Sequence, residues 1–272
     1  MKCKWIKKLT AGIIFLAAVG SLSGCQKAAT SENLFRDIEV NMTSVESAEE
    51  NQIVKLQMGD GDSAISQESN LDIEMTRNPA AVHRKGQQKT NMAGTKETQE
   101  MESYQVEEDG KTVIYSGTDE AWEKNAVEEK ETSSQQTVLF DGLQNLSGAF
   151  SVSQDLATVN KEECFELTGT ISGTQFQETF ADTLKALLGE DSSDLSGWNL
   201  QASEDEENNE ELQQKLNNVK VDCVIDIYRN NILPAKITFN LTDYLKAAGE
   251  ENAQVTSYTL EVTFVSYNDT KK

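Results

Sequence analysis

Three segments at the end of the chain leave little freedom in what it can fold into. Val219 to Tyr228, Ile232 to Leu241 and Val255 to Tyr267 are rich in β-branched and aromatic residues. In the first, Val221, Cys223, Ile225 and Ile227 alternate with polar neighbours; Ile237 and Phe239 do so in the second, and Leu260, Val262 and Phe264 in the third. Period-two alternation of this kind marks strands with one buried face. Asn230 and Asn231 supply a turn between the first two. A helical turn over Asp243–Gly249 separates the second from the third. The segments therefore form an antiparallel meander, and the rest of the fold must be built onto it.

The same alternation recurs upstream. Ile38, Val40 and Met42 alternate with Asp37, Glu39 and Asn41, and Val54, Leu56 and Met58 repeat the pattern, as do Leu71, Ile73 and Met75. Each reads as a half-buried strand, with Glu46 to Asn51 and Gly59 to Asn70 as polar connections. Tyr104 and Val106 lead to Asp109-Gly110 and then to Thr112–Tyr115, a hairpin signal. A further strand carries Trp122.

The period then changes. Leu139, Leu143, Leu146 and Phe150 share one helix face. A strand runs from Cys164 to Ile171. Thr174 and Gln177 form a capping box for a helix striped by Phe176, Phe180, Leu184 and Leu187, with Gly189 as its C-cap. Ser203 to Asn218 is acidic and Asn-rich, with a short exposed helix at Glu210–Leu216. The expected fold class is α+β: a curved antiparallel sheet, half a barrel, with two to three helices on its concave face.

The first residues set the location. Lys2, Lys4, Lys7 and Lys8 precede an uncharged run of 14 residues, Leu9 to Leu22. That is short of the roughly 20 residues of a spanning helix and fits a secretory leader. Leu22-Ser23-Gly24-Cys25 resembles the lipobox of bacterial lipoproteins, which implies that residues 1–24 are removed and that Cys25 carries diacylglycerol as the new N-terminus. Two acyl chains make a stable anchor. The expected location is the extracytoplasmic face of a membrane. The expected host is a Gram-positive bacterium; because Gln26 and Lys27 after the Cys carry no strong inner-membrane retention signal, an outer membrane stays open as the alternative.

Charge removes other classes of partner. Without residues 1–24 the chain keeps 20 basic and 46 acidic residues, a net charge of −26. That disfavours nucleic acid, which needs clustered Lys and Arg, and electrostatic adsorption to anionic lipid. Only two prolines occur, so no Pro-rich stalk lifts the domain from the bilayer. Ten residues, Gln26 to Phe35, separate the anchor from the first patterned segment.

Two longer stretches resemble the LolA/LppX-like lipoproteins, as does the lipobox. They are residues 108–115 (EDGKTVIY) followed by 121–124 (AWEK), and residues 225–236 (IDIYRNNILPAK). The resemblance implies a half-barrel wrapped round helices, with residues 25–34 as a short linker and residues 35–270 as one domain. It also implies an apolar cavity that in some members holds lipid or lipid-linked acyl chains. This chain departs from the periplasmic carriers in having its own lipobox, which fits binding at one membrane better than shuttling. Residues for such a cavity are the inward positions Ile225, Ile227, Ile237, Phe239, Leu260, Val262 and Phe264 of the strands, with Phe176, Phe180 and Leu184 of the helix. Apolar inner faces equally describe a filled core.

No enzymatic motif appears. His83 is the single histidine and reads as a surface residue; it cannot build a His-rich metal site, and no Gly-x-Ser-x-Gly elbow occurs. Asp60-Gly61-Asp62-Ser63 opens like a calcium loop, but the twelfth position is Leu71 instead of Glu. The chain is read as non-enzymatic, without metal or cofactor. Its alternative role is docking a membrane or wall partner through a sheet edge or acidic face. Arg77 to Lys96 holds five cations and no acid, either facing anionic groups or paired within a hairpin. Cys164 and Cys223 fall on opposite strand faces, which favours separate thiols over a disulfide.

Overall fold

The computed structural model describes residues 29–60, 64–108, 111–118, 121–127, 140, 142–188, 206–248 and 254–269. Its strands are β1 (Ser47–Met58), β2 (Ile65–Thr76), β3 (Ala81–Met92), β4 (Thr95–Glu108), β5 (Lys111–Thr118), β6 (Ala121–Val127), β7 (Phe150–Val159), β8 (Glu162–Ser172), β9 (Lys220–Tyr228), β10 (Pro234–Asn240) and β11 (Val255–Tyr267). All join one open antiparallel sheet in the order β6-β5-β4-β3-β2-β1-β11-β10-β9-β8-β7. Each neighbouring pair is consecutive in the chain except β1–β11. Two meanders, β1 to β6 and β7 to β11, are thus zipped together by their first and last strands. The sheet curves as the expected half-barrel.

Helices line the inner face: α1 (Ser31–Met42), a 3₁₀ helix (Leu143–Ala149), α2 (Gly173–Leu188), α3 (Glu206–Asn217) and α4 (Thr242–Ala248). Their buried residues, among them Phe35, Ile38, Leu143, Phe176, Leu216 and Tyr244, join inward residues of β7 to β11 in one core. Among the described residues no helix is long and apolar enough to cross a membrane.

Several expectations are corrected here. The segment around Ile38, Val40 and Met42 is helix α1 and not a strand. Leu34, Phe35, Ile38 and Met42 form its buried stripe, while Val40 is 61% exposed. Six residues fit both periods, and the stripe shows only when counted from Leu34. Thr30 caps the helix, its Oγ1 accepting from the Asn33 N–H at 3.2 Å. Most of Glu46 to Asn51 belongs to β1, and Ile65–Asn70 to β2. Strand β7 starts where a helix face was expected, leaving only the 3₁₀ segment with Leu143 and Leu146 buried; Leu139 lies outside the described residues. The capping box is Ser172–Gln175: the Gln175 N–H donates to Ser172 Oγ (3.2 Å) and the Ser172 N–H to Gln175 Oε1 (3.0 Å). Thr174 Oγ1 instead donates to Asn217 Oδ1 at 2.7 Å. Helix α3 is not merely exposed, since Leu216 is fully buried. Gly189, the expected C-cap of α2, lies outside the described residues.

Cys164 and Cys223 are free and buried. Cys223 pairs with Gly169 across the strand, whereas Cys164 lies opposite Tyr228.

Candidate functional site

Register places one side chain per strand in rows across the inner face. One row runs Leu167, Ile225, Ile237, Val262, Gln52, Leu71, Gly86 and Met101, from β8 to β4. The next runs Phe264, Glu50, Ile73, Arg84 and Ser103, from β11 to β4. The face is therefore apolar from β8 to β11, carries Gln52, Glu50 and Arg84 on β1 and β3 with Leu71 and Ile73 of β2 between them, and is mixed beyond.

The apolar end holds the residues expected from the sequence. Phe176, Phe180, Ile225, Ile227, Ile237, Phe239, Leu260, Val262 and Phe264 all lie fully buried in the core. The Phe176 ring meets Phe239 at 5.2 Å and Tyr244 at 4.9 Å, both edge to face, and Phe180 meets Phe239 at 4.9 Å. The structure packs these nine against one another. The Leu184 side chain lies outside the described residues.

Past β1 the apolar cover thins. Val54, Leu56 and Met58 are half-buried against the core. Met58, Ile65 and Met92 are in register across β1, β2 and β3. Met92 is 55% exposed and Met101 37%. Apolar inner surface thus runs continuously from the closed core to solvent.

Between these zones sit two residues that sequence reasoning missed. Glu50 and Gln52 are each 1% exposed, and neither carboxyl oxygen of Glu50 nor either amide atom of Gln52 has a hydrogen-bond partner. Burial pushes the Glu50 carboxyl up to about 8, with the nearby Arg84 charge pulling weakly the other way. Burial likewise lowers Arg84, against the opposing pull of Glu50. Arg84 Nη1 donates to Gln105 Oε1 at 3.4 Å. On the other flank, the Tyr267 ring stacks on Phe264 at 5.5 Å and its hydroxyl donates to Pro234 O at 2.7 Å. Burial raises that phenol, and Glu50 adds to the shift. A signal existed in the sequence: β1 continues backward from Val54 in strict alternation, which puts Gln52, Glu50 and Ala48 on the face of Val54.

The outer face is polar. A groove of about 510 Å³ crosses β11 and β1 to β4, lined by Lys55, Glu68, Lys89, Lys96 and neighbouring Ser, Thr and Asn residues. The acid-free stretch divides its labour. Arg77 donates to the carbonyls of Thr43 (3.1 Å) and Met42 (3.4 Å) at the C-terminal end of α1. Lys85 pairs with Glu102 at 3.2 Å, while Lys89 and Lys96 line the groove. His83 is not a free surface residue. Its Nε2 lies 2.9 Å from Glu102 Oε1, and its ring stacks on Tyr104 at 4.2 Å. Tyr104 in turn meets the exposed Trp122 at 5.5 Å. Among the described residues no cluster of His, Cys, Asp or Glu could hold a metal ion.

Residues 30–272 match the family model DUF6612, described as a family of unknown function. No curated protein matches the chain. Among solved structures it is similar to the lipoprotein LppX of Mycobacterium tuberculosis, at 14% identity over 89% of this chain and 97% of that one, with TM-score 0.45. It is similar to LprF from Mycobacterium bovis at 10% identity over 89% and 94%, with TM-score 0.44. A LolA superfamily protein from Nitrosomonas europaea follows at 8% identity over 90% and 96%, with TM-score 0.25.

Proposed function

The chain belongs to DUF6612, a family of unknown function, and we propose from its own geometry that it is a non-enzymatic, membrane-anchored lipoprotein of the extracytoplasmic face. In this reading Cys25 carries the lipid anchor and the inner face binds a hydrophobic or amphiphilic, lipid-like ligand.

One observation carries the binding reading. The inner face stays apolar from Val54, Leu56 and Met58 across Ile65 to the exposed Met92, and Met101 is exposed farther along β4. Exposed apolar residues in a contiguous strip mark an interaction surface. Methionine adapts its shape to irregular aliphatic partners, as acyl chains are. Phe176, Phe180, Leu184, Ile225, Ile227, Ile237, Phe239, Leu260, Val262 and Phe264 would form the deep end. Entry there requires the helices to move apart.

Two measurements test this. Mass spectrometry of the organic extract from residues 26–272, made in a lipid-containing host, should find a stoichiometric acyl lipid. Replacing Met92 and Met101 by Glu should remove it while circular dichroism stays unchanged; an extract free of lipid, even after incubation with native membranes, sinks the binding reading. Cys25→Ser should move the chain from the membrane fraction to the medium or periplasm, and unchanged fractionation would sink the anchor.

A second reading has its own support. Trp122 lies exposed on β6, an edge strand of the open sheet, tilted against Tyr104. Open edges and exposed aromatics suit docking of a membrane or wall partner. A defined neighbour crosslinked at position 122, with no lipid in the extract, would favour this role.

A further inference from the structure

Glu50 and Gln52, the polar gap in the inner face, have no hydrogen-bond partner among their neighbours. Glu50 and Gln52 stand two residues apart on β1, on the same face, flanked by Phe264 and Val262 on β11 and by Ile73 and Leu71 on β2. All four side-chain polar atoms are buried without a partner. Buried polar groups are normally satisfied, and here two adjacent residues with four open valences face the same space. Apolar residues at both positions would complete the core that surrounds them, so this pair costs the fold stability that it does not recover from its own contacts.

We infer that Glu50 and Gln52 are the head-group subsite of the inner face, and that they take an uncharged group which both donates and accepts hydrogen bonds, such as the hydroxyls of an acylglycerol or an amide. The inference rests on the lipid-binding reading above and specifies its ligand.

The donor and acceptor inventory selects this class. Gln52 offers an NH₂ donor and a carbonyl acceptor, and a protonated carboxyl at Glu50 offers one of each. A carboxylate or phosphate head only accepts: Arg84 would attract it, but it would leave the Gln52 carbonyl without a donor and would repel Glu50 whenever that group ionises. An ammonium head only donates, and it would stand beside the Arg84 charge. A methyl ester accepts but brings no donor. A hydroxyl or an amide answers both functions without bringing net charge into a buried site. From this point an acyl tail has apolar floor in two directions: inward over Val262, and outward over Leu71 and Leu56 toward Met58 and Met92.

The test uses the full chain kept soluble in amphipol and read by native mass spectrometry. Equal concentrations of monooleoylglycerol, oleate, oleylamine and methyl oleate share one acyl chain and differ only in the head. Monooleoylglycerol should be retained at least about tenfold over methyl oleate, since one buried donor or acceptor left unpaired lowers retention by about that factor or more. Gln52→Leu and Glu50→Leu should each erase that preference without lowering methyl oleate retention. Glu50→Gln, which keeps a donor and an acceptor, should preserve it. If oleate, oleylamine or methyl oleate matches monooleoylglycerol, or if the preference survives both Leu variants, the subsite is wrong while inner-face binding stands. If none of the four is retained, the binding reading fails and the subsite with it.

Discussion

Glu50 on β1 and Arg84 on β3 point to the same face of the sheet, with Ile73 of β2 in register between them. Both are buried. Each charge softens the cost of burying the other, yet burial dominates for both: the carboxyl is pushed up and the guanidinium is pulled down. Two strand spacings of about 4.8 Å separate their backbones, so only extended side chains can approach across Ile73. The pair is an ionisable seam that, with Gln52, interrupts the apolar inner face.

That seam makes stability depend on pH. The groups facing Glu50 are Arg84 from β3 and Tyr267 from β11, with Tyr228 behind the latter. The Glu50 carboxyl titrates near 4.5 when exposed and near 8 when folded. The folded state therefore holds a proton that the unfolded state has released, and its stability is greatest below about pH 4.5 and is lost as pH rises toward 8. The whole loss is roughly 3–5 kcal/mol at 1.36 kcal/mol per unit. Asp226, raised to about 6 chiefly by burial, adds to the decline only below that value. Urea unfolding at pH 6, 7 and 8 should show stability falling throughout, and Glu50→Gln should flatten the curve. A parallel slope in the variant would refute the assignment.

A glycine opposite Phe150 has a steric reason. A Cβ at Gly169 would lie 2.6 Å from Phe150 Cδ1 and 2.8 Å from the Ala149 carbonyl. Gly169→Ala should therefore cost about 1–3 kcal/mol by overpacking. Gly148, with nothing within 4 Å of the same position, should accept Ala within about 0.5 kcal/mol. Thermal melting of the two variants compares them directly.

The aromatic cluster under α2 should dominate core stability. Phe176 touches Phe180, Phe239 and Tyr244 and is fully buried. Phe176→Ala should cost about 3–5 kcal/mol by chemical denaturation. Val40→Ala, at an exposed position of α1, should cost less than about 0.5 kcal/mol. Equal effects at the two positions would mean that the cluster is not part of the cooperative core.

Ser172 and Thr174 separate the two possible starts of α2. Ser172→Ala removes the hydroxyl that accepts from the Gln175 N–H and should lower stability by about 1 kcal/mol. Thr174→Ala loses only a side-chain contact to Asn217 and should cost about half as much. The reverse order would place the cap at Thr174.

Much of this was legible in the residues. The C-terminal meander, the antiparallel pairing of β4 with β5 and the Trp122 strand follow from alternation and turn chemistry, both of which act over a few residues; Asp109 and Gly110 themselves lie outside the described residues. The apolar positions of α2 and β9 to β11 were legible for the same reason, since a face that must be buried has to be written as apolar. Strands β3 and β7 were not: β3 carries charges on both faces, and β7 loses its alternation at the irregularity between Val152 and Leu156, so neither shows a clean period. Helix α1 was misread because its visible end satisfies two periods at once.

The sequence by itself determined the sheet's apolar half, the antiparallel class and the residues that close the core, because hydrophobic patterning is local information. Only the tertiary structure decided that β1 pairs with β11, across some 200 residues of chain. That single pairing carries Glu50, from what reads as a polar connection, and Gln52 just beyond it into the inner face beside Phe264 and Val262. A polar residue in a strand looks the same in sequence whether it meets water or an apolar wall. Which it meets depends on the strand that arrives next to it, and the closing of the two meanders sets that.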